Sequence, residues 1–151
     1  MFLGVSNINL DAKGRLAMPT RYRDFLTQHC NGEMVITLDL FDKCLLIYPR
    51  PAWNDLEREI IALPNFDPRA RQVQRIMLGH ASEVQMDSNG RVQVSQPLRE
   101  IIGLDKKAVF SGQGKKFELW DEETYRNSRE TWKVDPASVA DLPPEVTALS
   151  I

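Results

Sequence analysis

Apolar and polar residues alternate with a period of two between Ile8 and Met18. Ile8, Leu10, Leu16 and Met18 share one face, and Asn9, Asp11, Arg15 and Ala17 the other. The alternation returns later in the chain, with Val84, Met86, Val92 and Val94 apolar and Gln85, Asp87, Arg91 and Gln93 polar. Superimposing the two stretches sets Asp11-Ala12-Lys13-Gly14-Arg15 over Asp87-Ser88-Asn89-Gly90-Arg91 at an offset of 76. The match continues through Tyr22, Arg23, Asp24, Phe25 and Leu26 against Leu98, Arg99, Glu100, Ile101 and Ile102. It resumes at Leu46-Ile47-Tyr48 against Glu118-Leu119-Trp120, where a shorter loop has reduced the offset to 72. The chain is an internal duplication, and each copy is one supersecondary unit.

Each unit reads as a hairpin, a short helix and two further strands. The three-residue loops Ala12-Lys13-Gly14 and Ser88-Asn89-Gly90 predict a type I turn closed by glycine in the left-handed region. Asp11 then faces Arg15, and Asp87 faces Arg91, as cross-strand neighbours. Helix starts follow at Pro19-Thr20 and at Ser95-Gln96-Pro97, with apolar residues Tyr22, Phe25 and Leu26 or Leu98, Ile101 and Ile102, and stops at Gly32 and Gly103. Strand pairs are predicted over roughly 34–40 with 44–48, and over 107–111 with 116–120. A unit of about 45 residues cannot cover its own apolar strand faces, so the two copies are expected to cover each other.

Between the copies, Pro51-Ala52-Trp53 opens a helix through Leu56, Ile60 and Ile61 that Pro64 ends, and Asp67-Pro68 caps a second with Val73, Ile76 and Met77 apolar. A further helix starts at Asp121 and carries Tyr125 and Trp132; Pro136, Pro143 and Pro144 then break up a tail expected to be partly mobile. The expected fold class is α+β, mainly β: two tandem β-β-α-β-β units at 5–52 and 81–124, a helical linker at 53–80, and a C-terminal helix and tail at 125–151.

Charge alters this picture more than composition does. A net charge of −2 over 151 residues argues against a nucleic-acid partner if taken alone. Its distribution points the other way: residues 121–151 hold seven acidic and three basic side chains, whereas residues 1–120 hold sixteen basic and fourteen acidic. No apolar run reaches the roughly 18 residues of a membrane span, and no secretory leader pattern is visible, so no membrane partner and a cytoplasmic location are expected. Cys30 and Cys44 have no metal spacing, so neither a disulfide framework nor a metal site is expected. His29 and His80 belong to no catalytic motif, and Gly112-Gln113-Gly114 reads as a hairpin turn, not a phosphate loop. No catalytic residues and no cofactor are assigned, and the chain is not expected to be an enzyme.

The candidate chemistry lies in the two turns. An arginine opposite an aspartate can simply neutralise it, an exposed pair contributing about 0.2–1 kcal/mol. Arginine's five donors also allow it to hold the aspartate and a phosphate or guanine edge together. Lys13, Arg15, Arg21 and Arg91 are the candidate DNA contacts, and Asp11, Gly14, Asp87 and Gly90 the turn-forming and orienting residues; Arg21 and Arg23, one turn into the following helix, are expected to add positive potential beside Lys13 and Arg15. Asn89 stands where the first copy has Lys13, so the second turn is electrostatically weaker. The basic stretch Arg69, Arg71 and Arg75 reads as a solvated helix face or one that meets an acidic neighbouring subunit.

Leu10-Asp11-Ala12-Lys13-Gly14-Arg15-Leu16-Ala17-Met18-Pro19-Thr20-Arg21-Tyr22-Arg23, with Leu78-Gly79-His80-Ala81 and Phe117-Glu118-Leu119-Trp120-Asp121, resembles the MraZ family up to about Tyr125. The resemblance implies two SpoVT-AbrB-type domains of swapped-hairpin character forming a pseudo-twofold barrel. It further implies a ring-like homo-oligomer, associated with the nucleoid, that binds repeats in the promoter of a division and cell-wall gene cluster and represses that operon. The family's Asp-x-x-x-Arg motif falls on Asp11 with Arg15 and on Asp87 with Arg91. The alternative is a structural or protein-interaction oligomer, an antitoxin-like AbrB relative.

Overall fold

The computed structural model describes residues 1–151. In chain order the elements are β1 (Phe2–Asn9), β2 (Arg15–Ala17), α1 (Thr20–Cys30), β3 (Glu33–Leu38), β4 (Leu45–Pro49), α2 (Arg50–Ile61) and α3 (Pro68–Val73). They continue with β5 (Ser82–Gln85), β6 (Arg91–Gln93), α4 (Gln96–Ile101), β7 (Lys107–Gly114), β8 (Phe117–Asp121), α5 (Glu122–Arg129) and α6 (Pro144–Thr147). The protein is α+β and mainly β. Its six-stranded antiparallel sheet runs β1-β7-β8-β4-β3-β5, and β2 and β6 form a separate two-stranded ribbon.

The alternation read from the sequence sets the buried face. Leu10, Leu16, Met18, Val92 and Val94 join Met34, Ile36, Leu45, Ile47, Phe110, Phe117 and Leu119 in one buried cluster drawn from both copies. α1 and α4 close it with Tyr22, Leu26, Leu98 and Ile102. Phe25 and Ile101, expected on the same buried faces, are each 45% exposed. The sheet's opposite face is covered in two places. Val35, Leu46 and Tyr48 pack on Trp53 and Ile60 of α2 and on Met77, while Cys44, Val109 and Trp120 pack on Tyr125 of α5.

Strand pairing departs from the expected hairpins. The Asp11–Arg15 and Asp87–Arg91 turns are present, but the strands leaving each turn do not pair with one another. β1 runs along β7 of the other copy from Phe2↔Gly114 to Asn9↔Lys107, and β5 runs along β3 from Glu33↔Gln85 to Ile36↔Ser82. β2 pairs instead with β6. The reason lies in the length of ladder on offer: a three-residue β2 could pair with only a fraction of β1, whereas β7 pairs with all eight of its residues and bonds the backbone groups that face it. Exchanging the copies in the sheet order reproduces the same order, so each copy's first strand serves the other.

Gly112-Gln113-Gly114 forms the expected hairpin turn only in part: Gln113 and Gly114, the latter at φ 78°, enter it, and Gly112 does not. β7 continues through Gly114, and the turn lies at its end, where Gln113 N–H donates to the Lys116 carbonyl. Gly112 is therefore a strand residue facing β1.

The linker helices form as read, with Asp67 capping α3 through Arg69 N–H; the helix then widens into a π turn over Gln74–Leu78. His80 Nδ1 lies 3.0 Å from the Arg75 and Ile76 carbonyls and caps that turn. Trp132 lies beyond the end of α5 yet packs edge-on to Trp120 and Tyr125. Pro136–Asp141 and α6 bury no residue. No helix is long and apolar enough to cross a membrane.

Candidate nucleic-acid interface

Each turn is assembled around its aspartate. Asp11 Oδ1 accepts from Lys13 N–H and Arg15 N–H, both at 2.9 Å, while Gly14 N–H donates to the Asp11 carbonyl. Asp87 Oδ1 accepts from Asn89 N–H and Arg91 N–H at the same 2.9 Å. The turn closes only if its fourth residue adopts positive φ, which Gly14 and Gly90 do at 78° and 76°. Donation from the Arg15 backbone N–H is the main reason the Asp11 carboxyl titrates below the ordinary aspartate value, and donation from Arg91 N–H does the same for Asp87.

The ribbon sets the direction of the arginines. With β2 and β6 in register Arg15↔Gln93, Leu16↔Val92 and Ala17↔Arg91, fully buried Leu16 and Val92 point inward. Arg15, Ala17, Arg91 and Gln93 therefore share the outward face, with a turn at each end. The charge of Arg15 reaches both turns, because it contributes to lowering Asp87 as well as Asp11.

The two arginines are held unequally. Arg15 Nε donates to Asp11 Oδ2 at 2.7 Å. Arg91 Nε lies 3.5 Å from Asp87 Oδ2 and, although buried, has no hydrogen-bond partner. The first turn has another support the second lacks: Gln93 Nε2 donates to the Lys13 carbonyl at 2.8 Å, whereas Ala17, its counterpart, has no group to donate. The side chains of Arg15 and Arg91 remain 25% and 36% exposed, and Lys13 is exposed at the first turn.

Of the candidate DNA contacts, Lys13, Arg15 and Arg91 come together on this ribbon. Arg21 is directed elsewhere: its Nη2 donates to Ser6 Oγ at 3.0 Å, and its guanidinium lies 4.5 Å from the Tyr22 ring centroid. In the linker, Arg69 pairs with Asp67, and Arg71 donates to the Asn65 carbonyl. Arg23, expected from the sequence beside Lys13 and Arg15, lies instead against Gly90 of the second turn, and sequence reasoning did not identify Gln93 or Arg99 as neighbours of the turns. Only its equivalence to Arg23 across the repeat marked Arg99.

A family model described as "MraZ protein, putative antitoxin-like" matches residues 1–76 and 77–138. Over the full length of both chains, the protein is 51% identical to "Transcriptional regulator MraZ" of Halorhodospira halophila and 48% identical to that of Thioalkalivibrio sulfidiphilus. It is 42% identical to the protein of the same name from Coxiella burnetii, again over all of both chains.

Proposed function

The chain belongs to the MraZ family, and from that premise we propose that it is a DNA-binding transcriptional regulator, not an enzyme, whose two aspartate-braced turns read double-stranded DNA. The observation that carries this reading is the outward ribbon, where Arg15 and Arg91 share one outward face and exposed Lys13 sits in the turn at one end. Asp11 occupies only part of the Arg15 guanidinium, leaving donors for a guanine edge or a phosphate. The firmer hold on Arg15 and the presence of Lys13 make the first turn the stronger reader and the second an auxiliary. Arg21 contributes positive potential from the neighbouring helix.

We read the exchange of first strands between copies as the swapped-hairpin, pseudo-twofold barrel of two SpoVT-AbrB-like units, at 5–52 and 81–124. A single ribbon offers few contacts, so useful affinity needs several ribbons acting together, in a ring-like homo-oligomer on repeated promoter elements. Exposed Leu3 and Val5 on edge strand β1, with half-exposed Phe25, supply apolar surface for such an assembly to bury. Acting on its own division and cell-wall operon as a repressor would place the protein in the cytoplasm, on the nucleoid.

The test is a gel-shift series on the DNA upstream of the chain's own gene at several salt concentrations, with wild type, Arg15→Ala and Lys13→Ala. Loss of a base-edge contact should weaken Arg15→Ala by about 1–3 kcal/mol, and loss of a phosphate contact should reduce the salt slope of Lys13→Ala by about one. Unchanged affinity in a folded Arg15→Ala variant would reject this reading in favour of a protein-interaction oligomer.

A further inference from the structure

Arg23 of α1 and Arg99 of α4 occupy equivalent positions in the two copies, yet each lies against the turn of the other copy. A Cβ atom added to Gly14 would fall 2.6 Å from Arg99 Cζ, and one added to Gly90 would fall 2.5 Å from Arg23 Cζ. Each guanidinium thus occupies the space above a glycine that a side chain there would need. Both are fixed in place: Arg99 Nε donates to the Val94 carbonyl at 3.0 Å, and Arg23 Nε to the Met18 carbonyl at 2.7 Å.

The same two residues, Val94 and Met18, also hold the turns through their amides. Val94 N–H donates to the Gly14 carbonyl at 3.1 Å, and Met18 N–H to the Gly90 carbonyl at 2.8 Å. One residue therefore binds the turn with its N–H and the arginine with its carbonyl, closing a small clamp between copies. Neither Arg23 nor Arg99 forms an ion pair, so neither is held by a neighbouring carboxylate. An arginine is suited to this role because its planar end can donate through Nε while its face covers the glycine; a lysine ammonium cannot do both.

We infer that Arg99 and Arg23 are positioning residues acting across the repeat, Arg99 holding the Lys13–Arg15 turn and Arg23 the Asn89–Arg91 turn. The presentation of each reading turn is then set by the opposite copy, and the two turns are locked in one relative geometry. The effect on DNA rests on the function proposed above, whereas the clamp itself does not.

Two measurements on the full-length protein separate these claims. The first is backbone amide exchange by NMR without DNA. Arg99→Ala should speed exchange at Val94 and in the 13–15 turn about tenfold while leaving Met18 and the 89–91 turn unchanged, and Arg23→Ala should do the converse. Arg99→Lys, which keeps the charge, should behave like Arg99→Ala. Exchange rising in the turn of the variant's own copy, in both turns or in neither, or full retention of protection by lysine, would overturn the clamp.

The second is a gel-shift double-mutant cycle. Arg99→Ala should be non-additive with Arg15→Ala, additive with Arg91→Ala, and leave the salt slope unchanged. Additivity with Arg15→Ala, or a slope reduced by about one, would identify Arg99 as an independent or direct phosphate contact and overturn the positioning role. If wild type shifts no DNA, the functional reading fails while amide exchange still decides the clamp.

Discussion

Gly112→Ala tests the exchange of strands between copies, on which the geometry of the ribbon depends. Gly112 lies opposite Gly4 in the β1–β7 ladder. A Cβ there would fall 2.7 Å from Leu3 N and 2.8 Å from Phe2 C, where ordinary contact begins at about 3.4 Å. These are backbone atoms that cannot rotate aside, so β1 must retreat by some 0.7 Å, the difference between 3.4 and 2.7. Overpacking of this kind costs about 1–3 kcal/mol. Retreat would also disturb Phe2, which is buried, stacked 4.1 Å from Phe117 and edge-on to Tyr22 at 5.5 Å; each aromatic pair contributes about 0.5–1.5 kcal/mol. The expected loss is about 2–4 kcal/mol, a fall in Tm of roughly 5–15 °C for a chain of this size. Urea unfolding and a thermal melt would measure it, with amide exchange localising the loosening to β1. If β1 folded back on β2 within its own copy, Gly112 would be an ordinary strand glycine, and alanine would stabilise by about 0.5–1 kcal/mol. A neutral or stabilised variant would therefore refute the exchanged pairing.

Three further outcomes follow from the same geometry. Gln93→Ala removes the donor to the Lys13 carbonyl and should cost about 0.5–1.5 kcal/mol in urea unfolding, with faster amide exchange confined to the first turn. Asp11 and Asp87 titrate below their ordinary value of 3.8, so their stabilising contribution is complete above that pH and is lost as pH falls through the lowered values. Urea midpoints should drop on acidification below about pH 4, and the Asp11→Asn, Asp87→Asn double variant should show a shallower drop; an identical slope would remove the turns from the acid response. Burial raises the Glu118 carboxyl, so at neutral pH its ionised form opposes folding, and protonation stabilises as pH falls. Glu118→Gln retains an acceptor for Trp120 Nε1 and should raise the Tm at neutral pH, with the gain shrinking toward acid.

Local periodicity made much of this legible. Alternation identified the buried face of every strand around the turns, and Asp-x-x-Gly-Arg specified a turn that the structure reproduces in its backbone hydrogen bonds. The functional pair was harder to read. Arg15 and Arg91 are distant in sequence, and only the β2–β6 ribbon sets them on one face. Gln93 and Arg99 looked like ordinary surface residues because their partners, the Lys13 and Val94 carbonyls and Gly14, carry no side-chain signature.

By itself, the sequence determined the duplication, the element types, the inward and outward faces, and the two turns that carry arginine. All of these depend on residues within a few positions of one another, where backbone dihedrals and side-chain period act directly. Which strand pairs with which was decided by tertiary structure. A pattern of period two states which face is buried but is indifferent to its neighbour, and β1 went to the partner that pairs with eight residues instead of three. That choice drew β2 and β6 together, turned Arg15 and Arg91 to one side, and laid each copy's arginine across the other's glycine.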